Sequence, residues 1–251
     1  MSHLPGKFVW FEHLSNDIAK ARGFYEKLFG WHTETMPMSS GEAYPVIHNG
    51  NAAIGGYAKA PPNAPSQWLS YLSVDDVDAS HKTALAAGGK SVMAPFDYGS
   101  AGRAATLADP TGGVFSLWKG AQGDPAETSD VAIGAWYWNE LTTKDDRAAL
   151  AFYEKVFGYT HDAMPMPQGS YYILKQGDKM RGGLCKAMDA SMPTTWLQYV
   201  KVADCDASSA EAKGLGARVV VPPTDIATVG RFSVFIDPQG AALAIMRPAP
   251  A

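Results

Sequence analysis

Apolar and polar residues along the chain follow two periods, one of two residues and one near 3.6. Residues 7–14, KFVWFEHL, are rich in aromatic and β-branched side chains and read as a strand. Ser15 or Asn16 then offers a helix N-cap, and Ala21, Phe24, Tyr25 and Leu28 fall at i, i+3, i+4 and i+7, one apolar stripe. Gly30 stands where a left-handed helix stop belongs. Strands are expected near 31–37, 44–49 and 52–58. A second round opens at WLSYLSV (68–74), continues with a helix near 76–87, and closes with strands near 90–96, 102–108 and 113–119. The order is βαβββ–βαβββ, a sheet covered by helices.

The whole pattern then recurs. Phe24-Tyr25-Glu26-Lys27 returns as Phe152-Tyr153-Glu154-Lys155, an offset of 128 residues. Met36-Pro37-Met38, Trp68-Leu69, Gly102-Arg103 and Asp109-Pro110 return at the same offset. Leu14 pairs best with Leu141, which implies one residue inserted before the second FYEK helix and sets Asn139 against Glu12 and Glu140 against His13. The segment GAQGDPAETSD (120–130) has the small, polar makeup of a linker. The expected organisation is a first domain over 1–120, a linker over 121–130 and a second domain over 131–251.

Composition narrows the partners. The 251 residues are 46% hydrophobic and 18% charged, with a formal charge of −4 and no cluster of Lys and Arg to meet a phosphate backbone. Nucleic acid is excluded on that ground. Cys185 and Cys205 are the only cysteines, too few and too far apart for a disulfide or zinc–thiolate framework. No run of about 18 apolar residues occurs, so no membrane span is expected and the chain reads as cytoplasmic. The runs Ile54-Gly55-Gly56 and Arg181-Gly182-Gly183-Leu184 lack phosphate-loop spacing; glycine there is expected to let a sheet bend.

Three phrases, LSNDIAKARGFYEKLFGW, WLSYLSVDDVDA and DPTGGVFSLW, occur in order and repeat as LTTKDDRAALAFYEKVFGY, WLQYVKVADCDA and DPQGAALAIM. On these motifs the chain resembles the vicinal oxygen chelate superfamily of glyoxalases, extradiol dioxygenases and bleomycin-resistance proteins. The resemblance implies an α+β fold of tandem glyoxalase-like domains, each built from two βαβββ units forming a curved, cup-shaped sheet. Metal-dependent relatives carry His or Glu at four matched strand positions. Here those positions hold Trp10, Gly55 or Gly56, Leu69 and Ser116, and in the second copy Tyr137 or Trp138, Gly182 or Gly183, Leu197 and Ala244. None suits a divalent ion. The resemblance therefore implies a dismantled metal site and disfavours glyoxalase I and extradiol dioxygenase chemistry.

Strand parity selects the candidate site residues. Glu12 shares the face of Trp10, whereas His13 points the other way. Two roles are open to Glu12: catalysis or ligand binding, or pairing with Arg103 or backbone N–H groups. Trp10 and Trp118 share the parity of the matched positions and line either a pocket or the core. Leu69, Tyr71, Ser116, Asn139 and Tyr199 complete the expected ligand-facing set. Arg103 and Arg231 either bind an anionic ligand or hold the fold through Asp109 and Asp237. The histidines, His32, His48, His81 and His161 among them, read as surface or packing residues. The combined expectation is a metal-independent protein with an aromatic-lined pocket for a small organic ligand, no cofactor, no membrane partner, and a monomeric or weakly dimeric state. The alternative is a lyase, isomerase or hydroxylase-like enzyme acting through Glu12 or a bound divalent metal.

Overall fold

The computed structural model describes residues 2–37, 43–128, 130–166 and 169–250; Ser129 of the expected linker lies outside them. The first repeat runs β1 (Phe8–Ser15), α1 (Ile18–Phe29), β2 (His32–Pro37), β3 (Ala43–Asn49), β4 (Ala52–Lys59), β5 (Gln67–Ser73), α2 (Val77–Ala86), β6 (Lys90–Asp97), β7 (Gly102–Ala108) and β8 (Val114–Gly120). The second runs β9 (Trp136–Thr143), α3 (Asp146–Phe157), β10 (Thr160–Met166), β11 (Gly169–Gln176), β12 (Lys179–Lys186), β13 (Thr195–Lys201), α4 (Cys205–Gly214), β14 (Arg218–Ile226), β15 (Gly230–Ile236) and β16 (Ala242–Pro248). The expected α+β order βαβββ–βαβββ is thus present twice. No helix among the described residues is long and apolar enough to cross a membrane.

Each repeat supplies one eight-stranded sheet, in the order β2-β3-β4-β1-β5-β8-β7-β6 and β10-β11-β12-β9-β13-β16-β15-β14. Within a βαβββ unit the first and last strands pair in parallel, as β1 with β4 and β5 with β8, and the remaining pairs are antiparallel. A parallel pair needs a crossover, and the helix between the two strands provides it.

Helix α1 forms where its stripe predicts, and Ala21, Phe24, Tyr25 and Leu28 are all buried. Its N-cap is Asp17 rather than Ser15 or Asn16: the Asp17 carboxylate accepts from Lys20 N, while Ser15 Oγ accepts from Asp17 N and so orders the approach. Gly30 ends the helix at φ 68° with its N–H on Glu26 O, and Gly158 does the same for α3 at φ 67°.

The chain gathers into two compact units, each drawing on both repeats. One comprises Met1–Trp10, Leu69–Ala126 and Trp138–Trp196; the other comprises Phe11–Trp68, Glu127–Tyr137 and Leu197–Ala251. In the first unit the Tyr153 hydroxyl donates to Asp109 Oδ2 at 2.9 Å and accepts from Trp196 Nε1 at 2.9 Å. Asp109 Oδ1 meanwhile accepts from Thr111 N and Gly113 N, closing the turn of DPTGG. The second unit repeats this with Tyr25, Asp237 and Trp68, at 2.8 Å for each tyrosine bond. The recurring FYEK tyrosine and DP aspartate are therefore partners across repeats: the helix of one is fastened to the turn of the other. A buried carboxylate with both oxygens hydrogen-bonded stabilises this junction where an unpaired one would cost several kcal/mol.

Candidate functional site

Strand β1 alternates as the parity argument requires. Phe11, His13 and Ser15 are buried, and Trp10, Glu12 and Leu14 are half-buried on the other face. Strand β9 has the same pattern, with Asn139, Leu141 and Thr143 buried and Trp138, Glu140 and Thr142 half-buried. In the register, Glu12 lies opposite Gly56 and Glu140 opposite Gly183. The counterpart of Glu12 is therefore Glu140, at the same offset of 128 as the FYEK motif, and nothing is inserted before α3. The pairing of Leu14 with Leu141 is corrected here. Because a one-residue slip moves every side chain to the opposite face, it had placed Asn139 on the wrong side. Asn139 is buried, and its Oδ1 accepts from Ser70 Oγ at 3.2 Å.

The repeated glutamates share a partner type. The Tyr44 hydroxyl on β3 donates to Glu12 Oε1 at 2.8 Å, reaching from two strands away. It passes over β4 at Gly56, where a Cβ would overlap the tyrosine hydroxyl. On β11, Tyr171 crosses Gly183 in the same way toward Glu140, and Trp138 Nε1 donates to the Tyr171 hydroxyl at 2.8 Å. Burial, and then the Glu140 charge, hold the Tyr171 phenol far above its ordinary range, so it stays a neutral donor. Cys185, across from Tyr171, is pushed up to about 12 by burial and Glu140 and stays a thiol. Each compact unit thus carries one carboxylate that accepts from a tyrosine hydroxyl. Such a group accepts a hydrogen bond from a ligand or takes a proton from it.

The remaining expected residues fall into several environments. Leu69, Tyr71 and Ser116 are buried; the Tyr71 ring meets Trp118 edge-on at 6.1 Å, and Ser116 Oγ bonds Thr106 Oγ1 at 2.8 Å. Tyr199 is buried with its ring 6.4 Å from Phe232. Arg103 places Nε and Nη2 on Asp78 and Nη1 on Asp97, at 2.7–2.9 Å. Arg231 does likewise with Asp206 and Asp225. The fold-holding partners expected for these arginines, Asp109 and Asp237, are corrected accordingly: those carboxylates are taken by the FYEK tyrosines. Of the partners expected for Glu12 in a structural role, Arg103 is taken by Asp78 and Asp97, and Glu12 accepts from Tyr44.

Sequence reasoning missed Tyr44, Tyr171 and Glu140. The available signal was a tyrosine repeated at an offset of 127, each followed one strand later by Gly-Gly. It also missed the buried His13 Nε2, 2.9 Å from Asp237 Oδ2. A groove of about 340 Å³ beside Lys144 and Lys186–Ala190 involves neither glutamate.

The metal-ligand positions of the resemblance fail a test of fit. With the second-copy register fixed, they hold Trp10, Gly55 or Gly56, Leu69 and Ser116, then Trp138, Gly182 or Gly183, Leu197 and Ala244. These supply no imidazole or carboxylate, and the Ser116 hydroxyl is engaged by Thr106. Among the described residues, the one cluster of three or more His, Cys, Asp or Glu able to hold an ion is His32, Glu34 and His48, on β2 and β3.

The family model for the Glyoxalase/Bleomycin resistance protein/Dioxygenase superfamily matches residues 7–117 and again 137–245. The "Putative glyoxylase CFP32" of Mycobacterium tuberculosis (strain CDC 1551 / Oshkosh) is 38% identical over 96% of this chain and 94% of its own. The "Anthracycline biosynthesis protein DnrV" of Streptomyces peucetius is 29% identical over 96% of this chain and 93% of its own. Among solved structures, the Mn(II)-bound glyoxalase from Novosphingobium aromaticivorans superposes with a TM-score of 0.68 at 15% identity, covering 98% of this chain and 83% of that one. The 2,2',3-trihydroxybiphenyl 1,2-dioxygenase from Sphingomonas wittichii strain RW1 gives 0.64 at 15%, covering 98% and 91%. These structural likenesses speak to the fold, and the family match with the 38% identical relative decides membership: the chain belongs to the Glyoxalase/Bleomycin resistance protein/Dioxygenase superfamily.

Proposed function

We propose that the protein binds a small, partly apolar organic molecule on the sheet faces bearing Glu12 and Glu140, without a divalent metal at the family's matched positions. The observation that carries this reading is the duplicated glutamate–tyrosine pair, with tryptophan two residues before each glutamate. Aromatic walls supply affinity by burial, about 25 cal/mol per Å² of apolar surface, and the carboxylate fixes orientation through one charged hydrogen bond. The domains are taken as 1–120 and 131–251, joined by 121–130. Both carry the pair, so two ligands per chain are expected. The name of the Streptomyces relative supports an aromatic ligand of anthracycline type as the first probe.

A second reading is favoured by the chemistry of the pair. A carboxylate held by a neutral phenol beside a bound ligand is placed to abstract a proton, which suits an isomerase or lyase. One experiment separates the two: tryptophan-fluorescence titration of Glu12→Gln, Glu140→Gln and the double variant with a panel of anthracyclines and other aromatic ketones, with product analysis alongside. The binding reading expects roughly tenfold to hundredfold weaker association in the double variant and no product from any form. Product from the parent chain that vanishes in a variant retaining affinity makes the protein an enzyme. Undiminished binding in the double variant removes the glutamates from the site.

A further inference from the structure

Away from the glutamate–tyrosine pairs, three metal-ligating side chains converge on the hairpin β2–β3. His32 and Glu34 lie two residues apart on β2 and share a face, and His48 on β3 lies directly across from His32. Their ligand atoms all fall within 4.8 Å of one another. His32 Nε2 is 3.5 Å from Glu34 Oε1, and His48 Nε2 is 3.8 Å from Glu34 Oε2. Two ligands each bound at zinc distances to one tetrahedral ion stand roughly 3.3–3.4 Å apart. Two edges of the group therefore lie within half an ångström of that geometry, and His32 and Glu34 are exposed enough to turn the rest of the way. The two imidazoles already stack at 5.2 Å and 24°.

The second repeat provides the comparison. Its equivalent positions on β10 and β11 hold Thr160, Asp162 and Lys175, with Thr160 across from Lys175. There the Lys175 ammonium sits 3.0 Å from Asp162 Oδ2, so the carboxylate has a cation built into the chain. In the first repeat His48 stands in the place of that lysine and His32 in the place of the threonine. Neutral imidazoles offer lone pairs where lysine offers only protons. The same backbone frame thus holds a fixed cation in one copy and a donor set for an exogenous cation in the other.

We infer that His32, Glu34 and His48 bind a divalent cation of the zinc class. Two imidazoles and one carboxylate match its preferences and leave at least one position open to water. The β2–β3 register puts the three on the sheet face that also carries Tyr44, four residues before His48 on β3. The site is separate from the family's matched ligand positions and does not depend on the ligand proposed above.

The test is calorimetric titration of zinc chloride into the full chain, untagged and stripped with chelator, with circular dichroism confirming that each variant is folded. One zinc per chain is expected, weakened by more than about tenfold in His48→Ala and in Glu34→Gln. The Glu12→Gln/Glu140→Gln double variant is expected to bind as the parent does. The inference is overturned if the parent chain takes up no zinc, if uptake survives intact in His48→Ala, or if it is lost in the double glutamate variant instead.

Discussion

His13 illustrates how much rests on single side chains. It is fully buried, edge-on to Trp68 at 4.9 Å and hydrogen-bonded to Asp237. The same place in the second repeat holds Leu141. Burial pushes the Asp237 carboxyl upward, but the His13 hydrogen bond and charge, with Tyr25 and the Ala241 N–H, outweigh it and leave the group below the ordinary carboxylate range. A depressed carboxylate contributes stability above its unfolded pKa and loses it as the pH falls through the lowered folded value. His13→Leu removes two of the lowering contributions and leaves the desolvation. Asp237 should then protonate at higher pH, and acid unfolding followed by circular dichroism should begin at higher pH than in the parent. An unchanged acid midpoint would show that Tyr25 and the backbone alone hold this carboxylate. Neither His13 nor Tyr44 was identified from sequence, because each acts through a partner far along the chain or two strands away.

At the scale of elements, the sequence was informative. Strand alternation and the helix stripe are local periodicities, and they located the strands and helices of the first repeat within a residue or two. Register was harder. The match of Leu14 to Leu141 conceals Glu140 against the offset of 128 that the FYEK helices share, since sequence identity at one position carries no information about which face a strand presents. Strand crossing is harder still: reading Gly56 and Gly183 as bends leaves out the tyrosine that lies over each of them. Gly56→Ala and Gly183→Ala test the crossing. Each puts a Cβ into the tyrosine hydroxyl and should cost on the order of 1–3 kcal/mol by overpacking, read as a lower melting temperature. The ligand affinity of the affected repeat should fall with it. A tolerated alanine at either position would mean that the tyrosine does not need to cross there.

At the scale of the molecule, the duplication was visible as an offset, but the assembly of each compact unit from both repeats was not. That arrangement depends on Asp109 meeting Tyr153 and Asp237 meeting Tyr25, contacts that no local window contains. The glutamate–tyrosine pair occurs in both copies, and the positions matched to the family's metal ligands hold Trp, Gly, Leu, Ser and Ala; the proposed function rests on this contrast. The most direct measurement is the affinity of an aromatic ligand identified by the fluorescence panel, before and after exhaustive treatment of the protein with a strong chelator. The same affinity and stoichiometry are expected in both preparations. Binding that disappears with the chelator and returns with added divalent metal would contradict the proposed function.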